Sequence, residues 1–308
     1  MATQIGRLIT AMVTPFDTQG GVDYEGAKRL ALALLESGSD GVVVSGTTGE
    51  SPTLSHEEKV RLFREVKQAI GQRGAVIAGT GTYNTAESIA LTKAAEATGV
   101  DAALLVVPYY NKPTQEGLYR HFNAIADSTR LACILYNVPS RTITNLLPET
   151  VARLAAHPNV VGIKEASGSI EQVKQLRRLI RRQDFHIWSG NDSDTQAMLE
   201  QGCYGVVSVA SHLVGRQIKS QLDHAARGDV VFGRATQERL APLFRDLFIV
   251  ANPIPLKHAL NQLGFPVGGL RLPLCEPDLD TAAKVMATVQ ACQIDLVIPG
   301  RAKVAAKS

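Results

Sequence analysis

Short apolar runs alternate with longer stretches in which apolar side chains recur every three or four residues. The runs at 8–13, 41–45, 75–79, 102–107, 132–136, 160–164, 186–189 and 205–209 read as strands. Between them, 24–36 places Ala27, Leu30, Ala31, Leu34 and Leu35 on one helical face. Residues 56–70 do the same with Val60, Phe63, Val66 and Ile70. Ser55 and Glu58 form the sequence pattern of a capping box before that second helix. Helical stretches at 85–98, 115–127, 148–157, 170–181, 193–201 and 213–226 continue the rhythm. Eight strands each followed by a helix, within roughly 225 residues, predict a (β/α)8 TIM barrel. The strands are apolar throughout, as a parallel sheet covered by helices requires. A doubly wound open sheet is the alternative. It would normally carry a nucleotide-binding fingerprint after its first strand, where Pro15-Phe16-Asp17 stand instead.

After Gly228 the strands cease. Residues 230–249, 254–263 and 280–294 read as three helices, the first two separated by Asn252-Pro253-Ile254-Pro255. The expected organisation is therefore a catalytic barrel over 1–227 and a C-terminal helical domain over 228–298. A flexible tail is expected over 299–308.

Composition narrows the class. The 308 residues are 45% hydrophobic and carry a net charge of +3 with the charges interspersed, so no basic block suggests nucleic acid. Arg177-Arg178 and Arg181-Arg182 fit a solvated helix face. Cys133, Cys203, Cys275 and Cys292 are widely spaced, which fits a reducing cytosol without disulfides or zinc. The seven histidines are scattered without HExxH or HxH, so no metal site is expected. Neither a leader peptide nor a membrane span is legible, and a cytoplasmic protein is expected.

The chemistry concentrates where strands end. Lys164 closes Val160-Val161-Gly162-Ile163, and Tyr136 closes Ala132-Cys133-Ile134-Leu135 in the same way. An amine held at a buried strand tip sheds water and can act as a nucleophile toward ketones and aldehydes. A surface charge closing an element is the plainer reading of one such lysine. Gly46-Thr47-Thr48-Gly49-Glu50-Ser51 lacks the ending of a phosphate-binding P-loop. It suits a nest of N–H groups and hydroxyls for a carboxylate, or else a plain turn. Tyr109-Tyr110 follows the fourth strand, and only one of the two can easily face its own barrel mouth; interface packing is the other reading. Arg141 offers a fork for a substrate carboxylate or a loop salt bridge. A lysine, tyrosines and hydroxyls at the C-terminal face of a barrel, with no metal, point to imine chemistry without a cofactor.

The chain resembles the pyruvate-dependent class I aldolases of the dihydrodipicolinate synthase and N-acetylneuraminate lyase family. The likeness rests on Gly46–Ser51, Ala78-Gly79-Thr80-Gly81, Pro108–Asn111, Ile134–Thr142, Gly162–Ala166 and Asn252–Lys257, and spans nearly the whole chain. It implies that Lys164 forms a Schiff base with pyruvate beside Tyr136. Thr48 would link Tyr136 to Tyr110 of a neighbouring subunit in a proton relay. Thr47 and Thr48 would bind the pyruvate carboxylate, Arg141 the carboxylate of L-aspartate 4-semialdehyde, and Gly190 and Val207 would line the pocket by backbone contacts. It further implies a lyase that makes 4-hydroxy-tetrahydrodipicolinate for lysine and diaminopimelate synthesis, assembled as a homotetramer of tight dimers. N-acetylneuraminate lyases tend to carry Ser-Thr at 47–48 and lack an arginine at 141, so the synthase branch is favoured. A sugar-acid aldolase is the runner-up, and a catalytically silent keto-acid-binding barrel stands behind it.

Some members of the family are inhibited by lysine at the dimer interface. Ser51, His56, Glu87 and Tyr109 fit that site, whereas Pro52, Lys59 and Tyr83 depart from the pattern of sensitive bacterial members. Lys59 sets a cation where the effector's ammonium would go, so weak or absent inhibition is expected.

Overall fold

The structure, a computed structural model, describes residues 5–298. Eight strands form the centre: β1 (Leu8–Ala11), β2 (Gly41–Val44), β3 (Ala75–Gly79), β4 (Ala102–Val106), β5 (Ala132–Asn137), β6 (Val160–Glu165), β7 (His186–Ser189) and β8 (Gly205–Ser208). Each pairs in parallel with the next, and β8 pairs with β1, closing the predicted barrel. Every residue of β1, β2, β3 and β8 is buried, because one face packs into the barrel and the other under helices. This explains why the strands read as unbroken apolar runs rather than as alternating ones.

The covering helices are α1 (Tyr24–Glu36), α2 (His56–Ile70), α3 (Thr85–Glu96), α4 (Gln115–Asp127), α5 (Pro139–Thr142), α6 (Pro148–Leu154), α7 (Ile170–Leu179), α8 (Thr195–Leu199) and α9 (Ser211–Ala226). The box at α2 is formed: Ser55 Oγ accepts from Glu58 N, and the Glu58 carboxylate accepts from Ser55 N at 2.9 Å. Beyond the barrel lie α10 (Val230–Asp246), α11 (Ile254–Gln262) and α12 (Leu279–Gln290). The tail expected over 299–308 lies outside the described residues.

Several boundaries differ from the expectation for physical reasons. The loop after β5 contains a helical turn, α5, opened by Pro139 at its first position and ended by Ile143 at φ 62°. The helix expected over 193–201 shrinks to α8 behind a 3-10 turn, Asp192–Asp194. Asp192 does not cap α8. Its carboxylate reaches across to accept from Val209 N and Ala210 N at 3.0 and 2.9 Å. Helix α7 stops before Arg182, whose guanidinium turns inward onto the carbonyls of Ala155, His157 and Val160.

His212, fully buried at the start of α9, joins the two ends of the closed sheet. Its Nε2 accepts from Val13 N at 3.2 Å, while Nδ1 lies 2.9 Å from Val209 O. Burial pushes its pKa down to about 4, so the ring is neutral near pH 7 and can accept on one nitrogen while donating from the other.

Candidate active site

Strands β5 and β6 pair with Tyr136 opposite Lys164 and Asn137 opposite Glu165. Successive side chains alternate faces, so one pair serves the barrel interior and the other faces the helices. Inside, Lys164 is buried, and its Nζ stands 4.3 Å from the centroid of the Tyr136 ring. Outside, the Glu165 carboxylate accepts from Asn137 Nδ2 at 3.1 Å, Gln172 Nε2 at 3.0 Å and Ser167 N at 2.7 Å. Burial pushes the Glu165 carboxyl up, and these donors oppose that shift. A satisfied polar network thus fixes the strand tips that present the lysine and tyrosine. Both tips run one residue further than expected, so Tyr136 and Lys164 are penultimate in their strands.

Gly190, after β7, accounts for the lysine's other wall. A Cβ placed there would lie 2.5 Å from Ala166 Cβ and 3.2 Å from Lys164 Cε. Any side chain would press on the amine's stem.

The loop after β2 is bracketed by two residues with left-handed backbones, Ser45 at φ 56° and Glu50 at φ 54°. Neither is glycine, so the conformation costs free energy that the surroundings must offset. Within the bracket, Gly49 N and Ser51 N donate to Gly46 O, and Glu50 N donates to Thr47 O. Among the described residues the N–H groups of Thr47 and Thr48 make no hydrogen bond. They are available to an anion, as the nest reading requires.

A cavity of about 310 Å³ brings together Thr47, Thr48, Tyr136, Arg141, Lys164 and Gly190. Arg141 reaches it from α5 and makes no ion pair among the described residues, which disfavours the loop salt bridge. A second compartment of about 210 Å³ shares Thr47, Tyr136 and Arg141 as walls and adds Ser51, Pro52 and Tyr109. Val207 does not line either compartment. It is the penultimate residue of β8, paired with Ile9, and Val209, two residues on, meets the cavity instead. Tyr110 is 91% exposed at φ 73° and lies outside both. His56 and Glu87 are also exposed and outside both, so of the four residues expected to bind an effector only Ser51 and Tyr109 meet in one space.

Thr48 and Tyr136 share the cavity, but no hydrogen bond joins them directly. Thr48 Oγ1 instead accepts from Asn252 Nδ2 at 2.8 Å. In the sequence Asn252 marks a break between helices and opens one of the motifs that carry the resemblance, but neither feature signals contact with a loop 204 residues earlier. Among the described residues there is no group of three or more His, Cys, Asp or Glu able to hold a metal, and no helix is long and apolar enough to cross a membrane.

Known proteins resemble this chain in sequence and fold. A 4-hydroxy-tetrahydrodipicolinate synthase of Dehalococcoides mccartyi strain CBDB1 is 60% identical over 96% of this chain and 99% of its own length. A solved dihydrodipicolinate synthase from Bacillus anthracis superposes with a TM-score of 0.91 at 41% identity, covering 94% of this chain and 99% of that one. A synthase from Cyanidioschyzon merolae, solved with lysine bound, also gives 0.91, at 45% identity over 93% of this chain and 98% of its own. The model of the Dihydrodipicolinate synthetase family matches residues 4–292, and with these relatives it shows that the chain belongs to that family.

Proposed function

We propose that the protein condenses pyruvate with L-aspartate 4-semialdehyde to give 4-hydroxy-tetrahydrodipicolinate, for lysine and diaminopimelate synthesis. The observation that carries this is the buried Lys164 amine against the Tyr136 ring, in one cavity with Thr47, Thr48 and Arg141. The amine adds to C2 of pyruvate, and water leaves to form the iminium. Loss of a proton from C3 gives the enamine, which attacks the aldehyde carbon of the second substrate. The substrate's own amine then adds to the iminium carbon, and Lys164 departs as the ring closes. Tyr136 and Thr48 move protons, aided by Tyr110 of a neighbouring copy. Thr47 and Thr48 hold the pyruvate carboxylate, Arg141 the second one, and Gly190 bounds the pocket through its backbone, with Val209 beside it.

The exposure of Tyr110 supports the shared site: a tyrosine held outward at positive φ carries a strain cost that contacts in a partner's mouth would offset. As the family resemblance implies, the protein would work as a homotetramer of tight dimers in the cytoplasm.

The test is reductive trapping. Incubation with pyruvate and borohydride places one adduct on Lys164, located by mass spectrometry, in a species of four chains by light scattering. Arg141→Ala lowers turnover with aspartate semialdehyde on the order of a hundredfold by removing a charge-assisted bidentate contact, yet traps pyruvate as the parent does. Equal loss of trapping and turnover would remove Arg141 from the second substrate. Faster turnover of N-acetylneuraminate than of the pyruvate and semialdehyde pair would overturn the assignment in favour of a sugar-acid aldolase.

By the resemblance Ser51, His56, Glu87 and Tyr109 are the candidate residues for a lysine effector, of which Ser51 and Tyr109 share a compartment, and in this chain its effect is weak or absent. Lys59 supports that reading. Its ammonium is half-buried on α2, with burial lowering its pKa and Glu87 opposing the shift. Glu87 therefore already faces a cation, and a free lysine entering would meet like charge. In a titration with L-lysine, turnover is expected to stay near its starting value through the submillimolar range; half-inhibition there would contradict this.

A further inference from the structure

We infer that Asn252, in the connection between α10 and α11, sets the direction in which the Thr48 hydroxyl donates its proton. The inference rests on the imine mechanism above and adds a positioning residue to it. A threonine hydroxyl has one hydrogen to give and two lone pairs. The Asn252 amide nitrogen occupies one lone pair of Thr48 at 2.8 Å. The hydrogen is thereby left for a partner in the cavity that Thr48, Asn252, Tyr136 and Lys164 all line. An acceptor in place of that amide nitrogen would take the hydrogen and turn the hydroxyl away from the reacting atoms.

Burial supplies the second observation. Asn252 is 5% exposed, and its Oδ1 is buried without a hydrogen-bond partner among the described residues. Most buried side-chain polar groups find a partner, because an unpaired buried acceptor is costly. An apolar residue of similar size would spare that cost. The amide's one formed bond goes to the hydroxyl between the carboxylate nest and the lysine. The helical appendage thus reaches the chemistry through a single donor.

The test separates polarity from fold. Asn252→Asp is nearly isosteric but presents only acceptors when ionised; Asn252→Ala removes the contact. Three readouts are taken on the full protein: thermal melting, borohydride trapping of pyruvate on Lys164, and exchange of the pyruvate methyl protons in deuterated water. For Asn252→Asp, trapping yield is expected within about twofold of the parent, while methyl exchange and kcat fall on the order of a hundredfold, the scale of lost acid–base assistance. Asn252→Ala should fall roughly tenfold, because its Thr48 hydroxyl is free rather than misdirected. As pH is lowered, the Asp variant should recover relative to the parent, since a protonated carboxyl donates as the amide did. Equal losses for Asp and Ala at every pH would overturn the inference. So would exchange in Asn252→Asp within threefold of the parent, or a loss of trapping that parallels the loss of exchange. Failure of the parent itself to trap pyruvate would refute the imine mechanism first, and this inference with it.

Discussion

Lys164→Arg is expected to fold, to form no borohydride-stable adduct with pyruvate, and to lose on the order of a thousandfold or more in turnover. Arginine keeps a positive charge near the Tyr136 ring but stays protonated at any working pH and cannot form the imine. If the charge of Lys164 served only to hold a carboxylate, arginine would retain most activity. If the amine is the nucleophile, charge is irrelevant and the covalent route closes, at a cost of at least about 4 kcal/mol in the barrier. Gly190 packs against the lysine stem, so the larger guanidinium also meets a crowded wall. Lys164→Met controls for that, because it has similar bulk and no charge. Both variants should be equally inactive in a coupled assay with both substrates. Turnover within tenfold of the parent in either one would end the Schiff-base mechanism.

The barrel and the reactive pair were legible because each is written locally. Strand and helix periods show in any window of ten residues, and a lysine at an apolar strand tip needs no distant partner to be noticed. The pairing of Tyr136 with Lys164 across adjacent strands then follows from the fold. What stayed hidden depends on contacts distant in the chain or on backbone geometry. Ser45 and Glu50 carry positive φ, which serine and glutamate do not advertise. Val207 is expected at the cavity, but Val209, two residues on, lines it instead. The turn at Pro139 that lifts Arg141 toward the cavity was read as loop, since four residues are too few to show a helical period. Asn252 and Lys257 belong to a motif that carries the resemblance, but what their side chains reach, Thr48 and Glu50, lies 204 and 207 residues away in the chain.

Lys257→Met is expected to destabilise the protein by about 3–5 kcal/mol in a denaturant titration. Lys257 Nζ lies 2.8 Å from Glu50 Oε1, and both side chains are almost wholly enclosed. The ammonium also donates to Gly269 O and sits 4.1 Å from the Phe16 ring centroid, while Glu50 Oε2 accepts from Arg271 N at 3.0 Å. Burial lowers the Lys257 pKa, and Glu50 opposes that shift. Removing the cation leaves a buried carboxylate with one backbone donor, the costly way to break such a pair. Glu50→Met with Lys257→Met removes both charges at once and should recover more than half of the loss, since a pair's own net contribution is small against two desolvations. The activity readout carries the argument to the site. Glu50 stands two residues after Thr48 and is held at positive φ, so the pair, rather than local preference, keeps the carboxylate loop in its shape. The double variant should therefore regain stability without regaining affinity for pyruvate, its KM remaining raised on the order of tenfold for want of a preorganised nest. A Lys257→Met cost below about 1 kcal/mol, in the range of an exposed ion pair, would show that the pair is not buried in solution. A double variant with both stability and pyruvate KM restored would show that the loop holds itself.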